Sequence, residues 1–212
     1  MPIFVFILLS IVFVALLLWA EHTENGRLRW IAKPAASACF VLTALAAGAF
    51  ESVYGLWVLA ALILCMAGDI FLISSSERSF LAGMGAFAAG HGAYIGAFLS
   101  DGPAPDWLFV ASILGMMAFA GLTLRWLWPH LGRFRWPVAA YSGIIAVMVA
   151  TSVLAAPPST PPPALWVIVG AVGFAVSDLS VARQQFVRHA FVNKVWGLPL
   201  YFGAQLILAA SV

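Results

Sequence analysis

The chain has 212 residues, of which 64% are hydrophobic and 8% charged. Soluble domains are about 45–50% apolar and about 25% charged, so this excess of apolar surface has to face lipid. The net charge of +2 excludes a basic nucleic-acid surface.

A membrane helix needs about 20 mostly apolar residues to cross a hydrocarbon core about 30 Å thick. Eight stretches meet that need, at 3–20, 31–50, 53–73, 80–99, 107–128, 137–156, 164–184 and 191–211. The first lacks a cationic n-region and reads as a membrane helix, not a cleaved signal peptide. The second opens on Lys33-Pro34 and the third closes on Gly68-Asp69. The fourth carries five glycines, Gly83, Gly85, Gly90, Gly92 and Gly96, which permit close packing, with Gly92 and Gly96 in GxxxG spacing. The sixth holds Tyr141 early, the seventh ends near Ser177-Asp178, and the eighth bears Asn193, Lys194, Tyr201 and Gln205. Polar or turn-forming segments at 21–29, 74–79, 100–106 and 129–135 separate these stretches. The run at 157–163, five of whose seven residues are proline, reads as a stiff extended link. The expected fold is all-α: one polytopic membrane domain over 1–212, a bundle of about eight helices.

Charge sets the expected orientation. All ten Lys and Arg residues fall in or beside the first, third, fifth and seventh loops. Cytoplasmic loops are enriched in Lys and Arg, so these loops are expected inside and both termini on the non-cytoplasmic side, in a bacterial inner membrane. A weak internal echo accompanies the pattern. Gly68-Asp69 and Ser177-Asp178 end helices four apart in order, and each precedes a short basic loop, which suggests a four-plus-four parallel duplication.

Ionisable residues inside a membrane helix are costly and mark functional positions by default. Asp69 and Asp178 lie about four and six residues from the inner ends of their stretches, roughly 6 and 9 Å deep at 1.5 Å per residue. That is too deep for a short side chain to reach water, so both are expected to face one polar cavity. The plain alternative is two structural acids that cap helices or pair with a Lys. His91 sits mid-helix with Tyr94 one turn on. Alone it reads equally as a buried hydrogen-bonding His. It has no companions for a metal site, because His22, His130 and His189 fall in or beside loops. Lys33 and Lys194 open helices two and eight, where they either snorkel as anchors or hold an anionic headgroup. Lys194, Tyr201 and Gln205 share a stripe, with Asn193 beside it, and Tyr141 could join them. The tryptophans mostly mark helix ends as an interfacial belt. Cys39 and Cys65 read as buried thiols.

These residues, in this order, resemble the lysoplasmalogenase family, whose bacterial members are called YhhN-like. The likeness is carried by Lys33-Pro34, Gly68-Asp69, His91 with Tyr94, Tyr141, Ser177-Asp178, and Tyr201 with Gln205. It covers nearly the whole chain. Phe202 stands where the family often has a second Tyr, and Asp178-Leu-Ser replaces Asp-Ser-Leu. The resemblance implies hydrolysis of the vinyl ether bond of a lysoplasmalogen to a fatty aldehyde and a glycerophospho-alcohol. Its expected partners are that lysophospholipid and membrane lipids, and no cofactor, metal or nucleic acid.

Such a reaction needs a proton donor and a second carboxylate, a division of labour that glycosidases also use. Asp69 and Asp178 are the expected catalytic pair. His91, Tyr94, Tyr141, Asn193, Tyr201 and Gln205 are expected to orient water or the ether. Lys33, with Lys194 or Arg78, is expected to meet the phosphate. Three rivals share these residues. An intramembrane aspartyl protease would want Gly-x-Gly-Asp, and residues 66–69 read Met-Ala-Gly-Asp. A transporter would want polar residues in both leaflet halves. A lipid-binding protein without turnover would use the same pocket.

Overall fold

The computed structural model describes residues 2–100, 105–155 and 163–212. Eight long helices follow in order: α1 (Pro2–His22), α2 (Gly26–Ala47), α3 (Val53–Phe71), α4 (Glu77–Ser100), α5 (Trp107–Leu127), α6 (Arg135–Thr151), α7 (Pro163–Ala182) and α8 (Phe191–Ala209). Six of them, all but α4 and α8, are long and apolar enough to cross a membrane. The two that fall short are of similar length and carry polar residues inside them, His91 and Tyr94 on α4 and Asn193 to Gln205 on α8. The protein is a multi-pass helical membrane bundle. The proline-rich link at 157–162 lies outside the described residues.

Local chemistry sets the helix ends. Asn25 caps α2 by accepting from the Leu28 amide, so the helix starts at Gly26, five residues before the expected start at 31. It stops at Gly48, whose φ of 103° is a left-handed C-cap. The early start matters at Lys33, which lies seven residues inside the helix, about 10 Å from its first residue. Ser52 caps α3 through the Gly55 amide and Asp106 caps α5 through the Leu108 and Phe109 amides. α7 passes into a π turn at Arg183–Val187, and α6 ends in a 3₁₀ turn at Ser152–Leu154.

Neighbouring helices pair as hairpins, α1 with α2, α3 with α4, α5 with α6 and α7 with α8. Glycine allows the tightest of these contacts. A Cβ on Gly90 would lie 2.7 Å from Cys65 Sγ, one on Gly83 2.8 Å from Leu72, and one on Gly96 2.9 Å from the Trp57 ring. Gly85 and Gly92 meet nothing within 4 Å, so the packing row is Gly83, Gly90 and Gly96, not the Gly92–Gly96 pair. On the other side of the bundle, Gly170 seats Leu208 and Gly197 seats Ser180. Cys39 and Cys65 are buried and unpaired, and eight of the nine tryptophans are exposed as a membrane belt requires.

Both chain ends lie at one end of the bundle. The last turn of α1 meets the first turn of α8 through Glu21 and Lys194. At the opposite end Ser211 bonds Tyr54 in the first turn of α3, at 2.8 Å. The end that holds Glu21 also gathers Arg29, Arg78, Arg133 and Arg188, and is termed the basic end below.

Candidate active site

The two acids face one cavity near the basic end. Its wall includes Lys33, Asp69, Tyr141, Asp178 and Tyr201, and the rest is mainly apolar, from Phe80 and Phe87 to Ile145 and Leu198. The cavity volume is about 130 Å³.

Asp69 sits in the last turn of α3, nearer the helix end than expected, yet it is 2% exposed. α2 and α8 continue past it and cover it. Ser37 Oγ donates to its Oδ2 at 2.6 Å and Tyr201 Oη donates to the same oxygen at 2.7 Å. Lys33 Nζ lies 3.2 Å from Oδ1. The carboxylate thus faces an ammonium and two hydroxyl donors, and each is itself buried. Burying two charges is tolerable only when they pair and hydrogen-bond in this way.

Asp178, on α7, has different company. Tyr141 Oη donates to its Oδ2 at 3.1 Å, and His91 Nε2 lies 3.4 Å from that oxygen and 3.2 Å from Tyr141 Oη. His91 is fully buried, with its ring against Phe174 at 4.5 Å. With its proton on Nε2, a directed chain runs from His91 to Tyr141 to Asp178. The Asp178 side chain is 16% exposed, against 3% for Asp69. Asp178 is therefore the acid more open to an incoming molecule.

The two shells have the same plan. Asp69 on α3 is served from α2 and α8, and Asp178 on α7 from α6 and α4. Adding four to each helix number, cyclically, converts one set into the other, as a parallel four-plus-four repeat requires. The halves are joined across the middle. Tyr94 Oη on α4 donates to Gln205 Oε1 on α8 at 2.6 Å, and Gln205 Nε2 donates to Tyr201 Oη at 3.3 Å. Tyr94 is thereby separated from its neighbour His91, because the first serves the Asp69 chain and the second Asp178.

The structure brings together Lys33, Asp69, His91, Tyr94, Tyr141, Asp178, Tyr201 and Gln205. It uses Asn193 and Lys194 elsewhere. Asn193 donates to Gln184 Oε1 and to the Arg188 carbonyl, both at 2.7 Å, and accepts from Arg183 at 3.0 Å, clamping the π turn to the start of α8. Lys194 pairs with Glu21, which also approaches Arg29 at 3.7 Å. The stripe shared with Tyr201 runs over seven residues, two helical turns or about 10 Å, which carries Lys194 out of the cavity wall. Arg78 is exposed at the start of α4. Lys33 is neither an interfacial anchor nor a free cation, since Asp69 holds it. Ser37 is the site residue that the sequence reading leaves out. It stands one turn after Lys33 on the same face, and that spacing was its only signal. Among the described residues no group of three or more His, Cys, Asp or Glu side chains could hold a metal ion.

Residues 28–212 match the YhhN family. A protein of Mycobacterium bovis named lysoplasmalogenase is 36% identical over 163 residues, which is 73% of this chain and 59% of that protein. Lysoplasmalogenase TMEM86A of Bos taurus is 31% identical over 155 residues, 71% of this chain and 62% of the relative. The membrane protein YhhN of Escherichia coli O6:H1 is 27% identical over 186 residues, covering 87% of this chain and 86% of its own length. The chain thus spans about six-tenths of the length of the first two relatives. No solved structure matches.

Proposed function

This chain belongs to the YhhN family, and from that premise we propose that it hydrolyses the vinyl ether bond of a lysoplasmalogen inside the membrane. The reading is carried by one observation: two buried Asp residues with unlike partners line the same largely apolar cavity. The names of the mycobacterial and bovine relatives agree with it.

Hydrolysis begins with a proton delivered to the outer vinyl carbon, which leaves an oxocarbenium ion at the carbon bearing oxygen. Water adds there and loses a proton. The resulting hemiacetal then breaks its bond to the glycerol oxygen, giving a fatty aldehyde and a glycerophospho-alcohol. Asp178 suits the donor's role. It is the more open acid, its partners are a phenol and an imidazole, and His91 and Tyr141 hold its Oδ2 so that Oδ1 is left for the substrate. Asp69, paired with Lys33, suits the role of the carboxylate that faces the cation and accepts the proton from water. Tyr201, Gln205 and Tyr94 fix that carboxylate in place. Among the described residues the cavity that holds both acids lies toward the basic end, which favours hydrolysis over a through-path for transport.

The test is purified protein in detergent, given vinyl ether, acyl and alkyl lysophospholipids in parallel. Aldehyde is expected from the vinyl ether lipid alone, and at an undiminished rate in EDTA or phenanthroline. Fatty acid release, or no turnover of any lipid, would overturn the reading. Loss of rate on chelation that a divalent ion restores would replace the two-Asp mechanism with a metal-dependent one.

The same reading places the cavity in the cytoplasmic leaflet, because the basic end should lie inside. A reporter fused after Val212 is expected to be extracytoplasmic, and one inserted beside Arg133 cytoplasmic. The reverse result would move the site to the outer leaflet.

A further inference from the structure

We propose that a single hydrocarbon chain enters the cavity sideways from the bilayer, through the seam between α4 and α5. The choice of a lysophospholipid as occupant rests on the functional reading above, whereas the seam does not.

The repeat makes the seam visible. α1 flanks α2 and also closes onto α8. That closure is locked at the basic end, where Glu21 binds Lys194 and the His22 ring meets Phe191 at 5.0 Å. α5 is the counterpart of α1. It flanks α6, and the repeat would have it close onto α4. Among the described residues its backbone makes no comparable approach to α4. Near the basic end, Met84 of α4 and Leu127 of α5 belong to one small apolar cluster. The cavity occupies the space between them, with Phe80, Met84 and Phe87 on one side and Phe119, Ala120 and Thr123 on the other.

The neighbouring route is obstructed. At the basic end Phe80, Phe134 and Phe186, from three different elements, pack with ring centroids 5.5–5.8 Å apart. Phe80 and Phe186 of this group form that end of the cavity wall. An aqueous approach from there would have to part these rings and carry the hydrocarbon through water, which is unfavourable in proportion to the apolar area exposed. The side of α5 away from the cavity already lies in lipid, with Leu114, Met117 and Leu122 each more than 60% exposed. A chain that slips past Ala120 and Thr123 stays in an apolar medium throughout. Past the Thr123 hydroxyl, the ionisable groups it meets, Tyr141 and Asp178 among them, lie on the cavity wall.

The test uses the intact protein in nanodiscs of diacyl phosphatidylcholine and an ester lysophosphatidylethanolamine with a diazirine in its chain. After irradiation, peptides are mapped by mass spectrometry. Label is expected on residues 80–87 and 119–127, and excess unlabelled lysophospholipid should remove it. Label on the outer face of α5 should be weak and resist competition. Ala120→Trp is expected to abolish the competed label and to raise KM for the vinyl ether lipid about tenfold, with a smaller change in kcat. Thr123→Trp serves the same purpose if the first variant inserts poorly. Competed label at the α1–α8 seam, or uniform label that no lipid displaces, would overturn the proposal. The two readings fail separately. Competed label without aldehyde release would remove the hydrolase and keep the portal, and aldehyde release with uniform label would do the opposite.

Discussion

Asp178→Asn is expected to lower the rate of aldehyde release by about 10²–10⁴, the span typical of a lost general acid. The amide keeps the size of the carboxyl and can still accept from Tyr141, so the helix packing around it survives. It has no proton of suitable acidity to place on a vinyl carbon. Asp69→Asn is expected to fall by a similar factor for another reason. A neutral amide neither balances an oxocarbenium ion nor takes a proton from water. The measurement is kcat for the purified variants, alongside their elution as single folded species in detergent. Full activity in either variant would sink the two-Asp mechanism, and failure of both to fold would return the pair to a structural role.

Lys33 has the second large expected effect, and it bears on stability. Lys33→Met should destabilise the bundle by about 3–5 kcal/mol, because it leaves Asp69 buried without its charge partner. The position explains the size. The two side chains are 11% and 3% exposed, so water cannot replace the lost ammonium. Adding Asp69→Asn to Lys33→Met should restore most of the stability, since a neutral amide can still accept from Ser37 and Tyr201, but it should not restore activity. Thermal unfolding in detergent reads both. The sequence reading of Lys33 as a headgroup cation makes the contrary forecast, of normal stability and a raised KM. That outcome, if observed, would show that the Lys33–Asp69 pair is dispensable to the fold.

Helix number, membrane location and both acids were legible in the sequence, because each rests on a one-dimensional signal. Apolar runs of about 20 residues report a bilayer directly. Asp69 and Asp178 stand out because an ionisable group in such a run is costly. The hint of duplication was legible for the same reason, as two acids in matching places. What sequence spacing could not decide was which polar side chain serves which acid. His91 and Tyr94 share a helix face, yet they reach different carboxylates, since α6 brings Tyr141 to the first and α8 brings Gln205 to the second. Lys194 and Tyr201 share a stripe, yet Glu21 of α1 draws the lysine away. Lys33 looked like the first residues of a helix because the polar cap at Asn25 masks two further turns before it. Partners of this kind are set by how whole helices meet. So is the unequal closure of α1 on α8 and of α5 on α4. Individual helices were fixed by local composition and capping, whereas the site was fixed by packing between helices far apart in sequence.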